Sequence, residues 1–303
     1  MARNYFRPLD WSLWLPVMLM LITALGGGGR ALAAEVAFHG GVGGGLQSVT
    51  AGEDDSLLEI GRAHDLGYNE ITSANPGVDP FVPDPGTSIT LPTRWILPET
   101  PVEEGVVVNI ADMRLYLFSG KRGNKVTTFP IGIGDEGWDT PLGTYHVIEK
   151  IVNPAWHVPA SIRAQKPELP AVVPPGPDNP LGSHALRLSI GTVLIHGTDR
   201  PYGIGMRVSH GCMHLYPEDI AALFKRVPVG TRVTIVDQPV KVAFSGGRVL
   251  VEVHEDVRQA PGRDLEREAR SLLEKKGVAA LVNEAKLKEA LAGRSGVVTD
   301  VTR

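Results

Sequence analysis

The chain of 303 residues holds a single cysteine, Cys212. That excludes an internal disulfide framework. In an oxidising compartment a lone thiol is a buried bystander, an intermolecular bridge or a reactive nucleophile. Aromatic residues are sparse at 6%, and positive charge does not dominate: 30 Lys and Arg stand against 34 Asp and Glu, a formal charge of −4. A mildly acidic chain with no basic cluster excludes nucleic acid as the partner. Long apolar runs are lacking too. The main one, Val17 to Leu25, is short for a bilayer span of about 20 residues.

That run carries a different message. Arg3 and Arg7 precede it, and Ala31-Leu32-Ala33 follows in a small-x-small pattern. The arrangement predicts a secretory signal over 1–33, cut before Ala34, and places the mature protein in the periplasm or cell envelope. An uncleaved membrane anchor is the alternative. No cysteine follows the run, so lipid attachment there is excluded. Removing the segment leaves a formal charge of −6.

Glycine (35) and proline (24) are abundant, which favours a loop-rich, mainly β protein. Residues 34–45 are glycine-rich and read as a flexible linker. Residues 46–92 read as a small strand–helix–helix–strand unit. Leu46 to Ala51 and Ser88 to Leu91 are its strands, Asp55 or Ser56 caps a first helix, and Asn69 caps a second that ends near Asn75-Pro76-Gly77. Residues 93–104 form a proline-containing connector.

From Gly105 the texture turns to short strands separated by turns, at 106–110, 114–118, 127–131, 143–150, 185–190, 193–196 and 232–236. One helix fits Pro217 to Arg226, with proline in the first turn, where its missing N–H costs little. The pattern over 105–237 predicts a β-sandwich or partly open barrel. A β-hairpin extension follows at 238–260. Residues 261–303 have helical periodicity in Leu265, Ala269, Leu272 and Leu273, then Leu281, Ala285, Leu287 and Leu291, predicting a helical extension. The proline-rich stretch from Pro154 to Pro180 is long enough to be a lid or binding loop.

The chemistry concentrates in Ile195-His196-Gly197-Thr198 and Ser209-His210-Gly211-Cys212. A free thiol is mostly protonated at neutral pH, and a nearby imidazole can take its proton. His196 ends an apolar strand, Gly197 permits close approach by a substrate, and the spacing lets a loop return Cys212 to His196. Gly211 allows a sharp turn whose successive N–H groups form an oxyanion hole. Two other readings stand beside this one. The cysteine is a small buried residue, or His196, His210, Cys212 and His214 hold a metal; zinc sites use wider ligand spacing.

These residues resemble the L,D-transpeptidase family with its YkuD-type catalytic domain: a histidine in His-Gly-Thr, then Ser-His-Gly-Cys about fifteen residues on. Pro130-Ile131-Gly132, Thr140-Pro141-Leu142-Gly143-Thr144, Pro154-Ala155-Trp156-His157-Val158-Pro159 and Asn179-Pro180-Leu181-Gly182 extend the likeness. Upstream, Val49-Thr50-Ala51-Gly52, Asn75-Pro76-Gly77 and Pro85-Gly86-Thr87 resemble a LysM domain, whose family binds N-acetylglucosamine-containing glycan.

The resemblance implies two-step acyl transfer on peptidoglycan stem peptides. Cys212 attacks, D-Ala leaves, a thioester forms and an amine takes the acyl group. The acceptor is another stem peptide, giving a 3-3 cross-link, or in some members an outer-membrane lipoprotein. A same-fold hydrolase with water as acceptor and a non-catalytic peptidoglycan-binding protein are the alternatives. By this resemblance Cys212 is the nucleophile, His196 the base and His210 a supporting residue. Gly211, Ser209, Gly197, Thr198, His214 and Trp156 line the oxyanion hole and substrate site. No cofactor and no metal are implied. The chain departs from the family at His214, where Arg or Asn is usual; a histidine cannot grip a carboxylate as an arginine does.

Overall fold

The glycine-rich residues near the N-terminus do not form a linker. In the computed structural model, which describes residues 35–101, 104–119 and 125–303, they fold as a hairpin of β1 (Glu35–His39) and β2 (Val42–Gly44). The glycines serve close approach, not flexibility. A Cβ on Gly43 would lie 2.8 Å from the Phe38 ring, and one on Gly44 would lie 2.1 Å from the Thr93 carbonyl oxygen. The predicted signal over 1–33 lies outside the described residues.

The expected strand–helix–helix–strand unit is present: β3 (Gln47–Thr50), α1 (Leu57–Ala63), α2 (Tyr68–Ser73) and β4 (Ser88–Leu91), with β3 antiparallel to β4. Ser56 caps α1 by accepting from the Glu59 N–H at 3.2 Å. Gly67, not Asn69, is the cap of α2, because Glu70 reaches back to the Gly67 N–H at 2.9 Å and fixes the start two residues earlier. The connector supplies β5 (Arg94–Ile96), which pairs with β2.

The central region contains β6 (Gly105–Asn109), β7 (Arg114–Phe118), β8 (Lys125–Pro130), β9 (Ile133–Gly134) and β10 (Gly143–Val152). The proline-rich stretch holds β11 (Trp156–His157), α3 (Ala160–Gln165) and β12 (Val172–Val173). Then come β13 (His184–Leu188), β14 (Leu194–His196), β15 (Arg207–Ser209), β16 (Met213–His214), α4 (Pro217–Arg226) and β17 (Arg232–Val236).

Eleven of these strands form one sheet in the order β16-β14-β13-β10-β17-β6-β7-β8-β1-β2-β5. The sheet curls. Gly132, just after β8, bridges back to His214 in the edge strand β16 through Gly132 N–H to His214 O at 2.9 Å and His214 N–H to Gly132 O at 3.1 Å. Eight strands thus approach closure around one core, which draws Val106, Leu115, Phe129, Leu186, Ile195, Met213, Val233 and the α4 residues Ile220 and Leu223 into a single cluster. The mainly β expectation is met.

Strands β6 to β8 are buried on both faces because both are covered. Alternate residues Val107, Tyr116, Phe118 and Val126 point outward and pack with Leu57, Ile60, Ile71, Ile89 and Trp95 of the N-terminal unit. After β17, a hairpin of β18 (Val240–Ser245) and β19 (Arg248–Val253) packs on α5 (Leu265–Lys275) and α6 (Glu284–Gly293). The last segment is not purely helical: β20 (Thr299–Asp300) adds a third strand to this hairpin. Two residues were too short a run to register as a strand by alternation.

Candidate active site

Strands β14 and β16 run parallel, with Ile195 opposite Met213 and His196 opposite His214. Cys212 immediately precedes β16, so it stands beside Leu194, and paired positions share a sheet face. His196, His214 and Cys212 therefore meet on one face at the seam where the sheet closes.

The resting partners differ from those expected. Cys212 Sγ accepts from the Leu194 N–H at 3.4 Å and donates to the Thr192 carbonyl at 3.8 Å. Among the described residues it has no hydrogen bond to His196. Burial pushes the thiol's pKa up, against the opposing pull of the Leu194 N–H. The resting group is a neutral S–H, not the ion pair a histidine partner would produce.

His196 is buried, and its Nδ1 lies 2.6 Å from the Gly197 carbonyl oxygen. A carbonyl only accepts, so the proton sits on Nδ1 and Nε2 carries the free lone pair. Burial first, and His214 second, push the His196 pKa down to about 3, against the Gly197 hydrogen bond. The ring is thus held neutral at rest, with the lone pair on Nε2.

His214 is buried. Its ring meets that of His196 edge-on at 6.0 Å between centroids. Its Nε2 donates to the Gly203 carbonyl at 3.4 Å. Glycine is required at 132, because a Cβ there would sit 1.7 Å from His214 Nε2.

The Ser209–Cys212 turn is shaped by its own side chains. Ser209 Oγ donates to the Cys212 carbonyl at 2.6 Å, and Gly211 adopts φ +94°, a conformation that excludes most side chains. Among the described residues no protein acceptor takes the N–H of Gly211 or Cys212. His210 packs on Trp138, with ring centroids 4.8 Å apart. The three residues 210, 212 and 214 therefore face different partners and do not share a ligand set. Among the described residues, the carboxylates and imidazole that come close enough for a cation are Asp112, Glu252 and His254. There the Lys241 ammonium, 2.7 Å from both Asp112 Oδ2 and Glu252 Oε1, supplies the positive charge.

Gly197 and Thr198 belong to the scaffold. The close approach at Gly197 is made by Gly182 and Ile220, not left to substrate: a Cβ on Gly197 would lie 3.0 Å from Ile220 Cγ2 and 3.4 Å from Gly182 Cα. Thr198 is buried and accepts from the Arg200 N–H at 2.9 Å. Trp156 packs beside Cys212 with Leu181, Ala185 and Leu194. Its strand is stapled by buried Asn179, whose Nδ2 donates to the carbonyls of Pro154, Val173 and Pro174 at 2.9, 3.2 and 3.0 Å. The proline-rich stretch is thereby tied down at its base. Sequence reasoning missed Trp138, which stands two residues before the Thr140-Pro141 motif, and the backbone partners Leu194 and Thr192, which carry no side-chain signal.

The depressed His196 pKa has a consequence for stability. Above about pH 6.5 the ring is neutral in folded and unfolded chains alike. Between pH 6.5 and about 3 the unfolded chain takes a proton that the folded one refuses, so this group makes stability fall as pH falls. Buried Asp65, raised to about 7, works oppositely in the acid range. The expected outcome is that His196→Gln flattens the acid-side loss, seen as a smaller drop in unfolding midpoint between pH 6.5 and 4 than in the parent.

The YkuD L,D-transpeptidase catalytic-domain model matches residues 103–235. YcfS of Escherichia coli, named a probable L,D-transpeptidase, is 41% identical over 287 residues, covering 91% of this chain and 86% of its own. YbiS of Escherichia coli, named likewise, is 41% identical over 261 residues, covering 82% and 84%. The catalytic domain of an Enterococcus faecium L,D-transpeptidase aligns at 22% identity with a TM-score of 0.35, covering 45% of this chain and 99% of that one. The chain belongs to the L,D-transpeptidase family.

Proposed function

We propose that the protein transfers acyl groups between peptidoglycan stem peptides through a thioester on Cys212. The observation that carries this reading is a lone thiol on the same sheet face as a neutral imidazole, next to the N–H groups of Gly211 and Cys212, which no protein acceptor takes among the described residues. Substrate entry brings the thiol from its Leu194 and Thr192 contacts toward His196. Nε2 takes the thiol proton as sulfur bonds to the carbonyl carbon of the stem's third residue, and the carbonyl oxygen gains charge against the two N–H groups. The bond to the terminal D-Ala nitrogen then breaks, and that nitrogen takes the proton from His196. A second amine attacks the thioester, gives its proton to His196 and restores the thiol. An acceptor on another stem gives a 3-3 cross-link, and one on a lipoprotein gives an anchored protein.

Trp156, beside Cys212, is a wall for the donor stem. The N-terminal unit serves as a LysM-type glycan module and keeps the enzyme on its polymer. Export to the periplasm rests on the signal pattern in 1–33; among the described residues no helix is long and apolar enough to cross a membrane.

The test is incubation with muropeptide tetrapeptides, read by mass spectrometry. The expected product is a 3-3 dimer with release of D-Ala. Release of D-Ala without a dimer would shift the acceptor to water. No change with stem peptide or lipoprotein acceptors would overturn the reading.

A further inference from the structure

The motif residues Ser209 to Cys212 lie within a segment that the N-terminal unit grips at both ends. Before the motif, the first turn of α2 is docked on the loop that leads into it. The Tyr68 N–H donates to the Ile204 carbonyl at 2.9 Å and the Asn69 N–H to the Gly205 carbonyl at 3.3 Å. The approach is tight, since a Cβ on Gly205 would lie 2.2 Å from the Tyr68 nitrogen. After the motif, the Tyr216 hydroxyl donates to the Leu66 carbonyl at 3.1 Å, and Arg62 forks onto Glu218 with two bonds of 2.9 Å.

The gripped loop reaches the site. It contains Gly203, whose carbonyl accepts from His214 Nε2, and His214 lies edge-on to His196. The other end of the segment follows His214 directly, through Leu215, whose N–H donates to the His196 carbonyl at 2.9 Å. A shift of either anchor would move the backbone on which Cys212 and His214 stand.

We propose that the N-terminal strand–helix–helix–strand unit is a positioning clamp for catalysis, fixing both ends of residues 204–218 and, through His214, the setting of His196. The proposal rests on the assignment of Cys212 and His196 made above. It gives the unit a role in turnover separate from any glycan it holds. His214 is a positioning residue: it acts on His196 and not on substrate.

Tyr68 allows a clean test. It is the first helical residue of α2, a position where proline is tolerated because that N–H has no intrahelical partner. Gly67 before it is already extended, at φ −83° and ψ 165°, as a residue preceding proline must be. Tyr68→Pro therefore deletes the donor and sets its ring Cδ against the Ile204 carbonyl, forcing this anchor apart while its φ still suits the helix start, and Tyr68→Ala deletes the ring while keeping the donor. Turnover of muropeptide tetrapeptide is measured for both. Misplacement on the ångström scale lowers rate by up to about 10²-fold, so Tyr68→Pro should lose about 10- to 100-fold in kcat with KM within about twofold, and Tyr68→Ala should match the parent. Tyr216→Phe, which removes the donor at the other end, should lower kcat in the same direction.

His214→Ala should also lower kcat, with partial rescue by His214→Asn, which keeps an N–H donor for Gly203. Combined with Tyr68→Pro it should add little, because residues acting in one chain of contacts are non-additive. Imidazole 15N spectra give a readout that needs no turnover: the His196 and His214 resonances should move in Tyr68→Pro and stay in Tyr68→Ala. Equal kcat in the two Tyr68 variants with unchanged imidazole spectra would overturn the proposal, as would losses that multiply in the double variant. A parent enzyme inert toward tetrapeptide would instead remove the proposed function, and the spectra would still decide on the clamp.

Discussion

Cys212→Ala is expected to reduce acyl transfer by about 10⁴-fold or more, to assay background, since loss of a nucleophile removes the covalent route altogether. It is the sole thiol in the chain. The nearest hydroxyl in the motif, Ser209 Oγ, is committed to the Cys212 carbonyl. The folded state should barely notice the change, because the sulfur makes two long contacts and is only partly buried. His196→Gln should cost less, about 10²- to 10⁴-fold, the usual worth of a general base. The check is muropeptide product analysis beside thermal unfolding. Full loss of product with an unchanged melting curve supports the assignment; a variant that still makes dimer would place the nucleophile elsewhere.

Arg114→Met is expected to destabilise the protein by about 3–5 kcal/mol, the usual cost of stripping one partner from a buried pair. Arg114 is fully buried on the outward face of β7. It donates twice to Glu70 at 2.9 Å, once to Thr128 Oγ1 at 2.7 Å and once to the Asp65 carbonyl at 2.5 Å. The Trp95 ring lies 4.4 Å from its guanidinium carbon. Removing the guanidinium leaves the Glu70 and Asp65 carboxyl groups without their cation between two layers of apolar side chains. Replacing both partners, Arg114→Met with Glu70→Leu, should recover only part of the loss, because Glu70 also accepts from the Gly67 N–H and Trp95 Nε1, and Asp65 still loses its cation. Urea unfolding midpoints decide it. A single-variant loss below about 1 kcal/mol would mean the pair contributes no more than a surface bridge.

What could be read from sequence followed local chemistry. Helix α4 was placed at Pro217 to Arg226 at both ends, since proline marks its start and amphipathic spacing its body. β7 was placed correctly because five alternating bulky residues lie between clear turns. The Gly-rich hairpin was misread because composition does not separate glycine that bends freely from glycine against which a ring or carbonyl packs. That Cys212 and His196 come onto one sheet face was legible from motif spacing. The setting of His214 was not, because it depends on Gly132, Gly203 and the curl of the sheet, and these become neighbours only through distant strand pairing. The thiol's resting partners were also hidden, being backbone groups.

The parallel pairing of β6 with β17 joins Val106 to Val233 and Asn109 to Val236. On a ribosome the chain reaches its late strand only after more than a hundred further residues. Until then β6 and β10 present unpaired edges, and the seam that brings His214 to Gly132 has nothing to close around. Topologies of such high contact order fold slowly and expose sticky strands meanwhile. The Cys212 thiol is consequently put in place among the last acts of folding, so a nascent or partly denatured chain carries the motif without the assembled site.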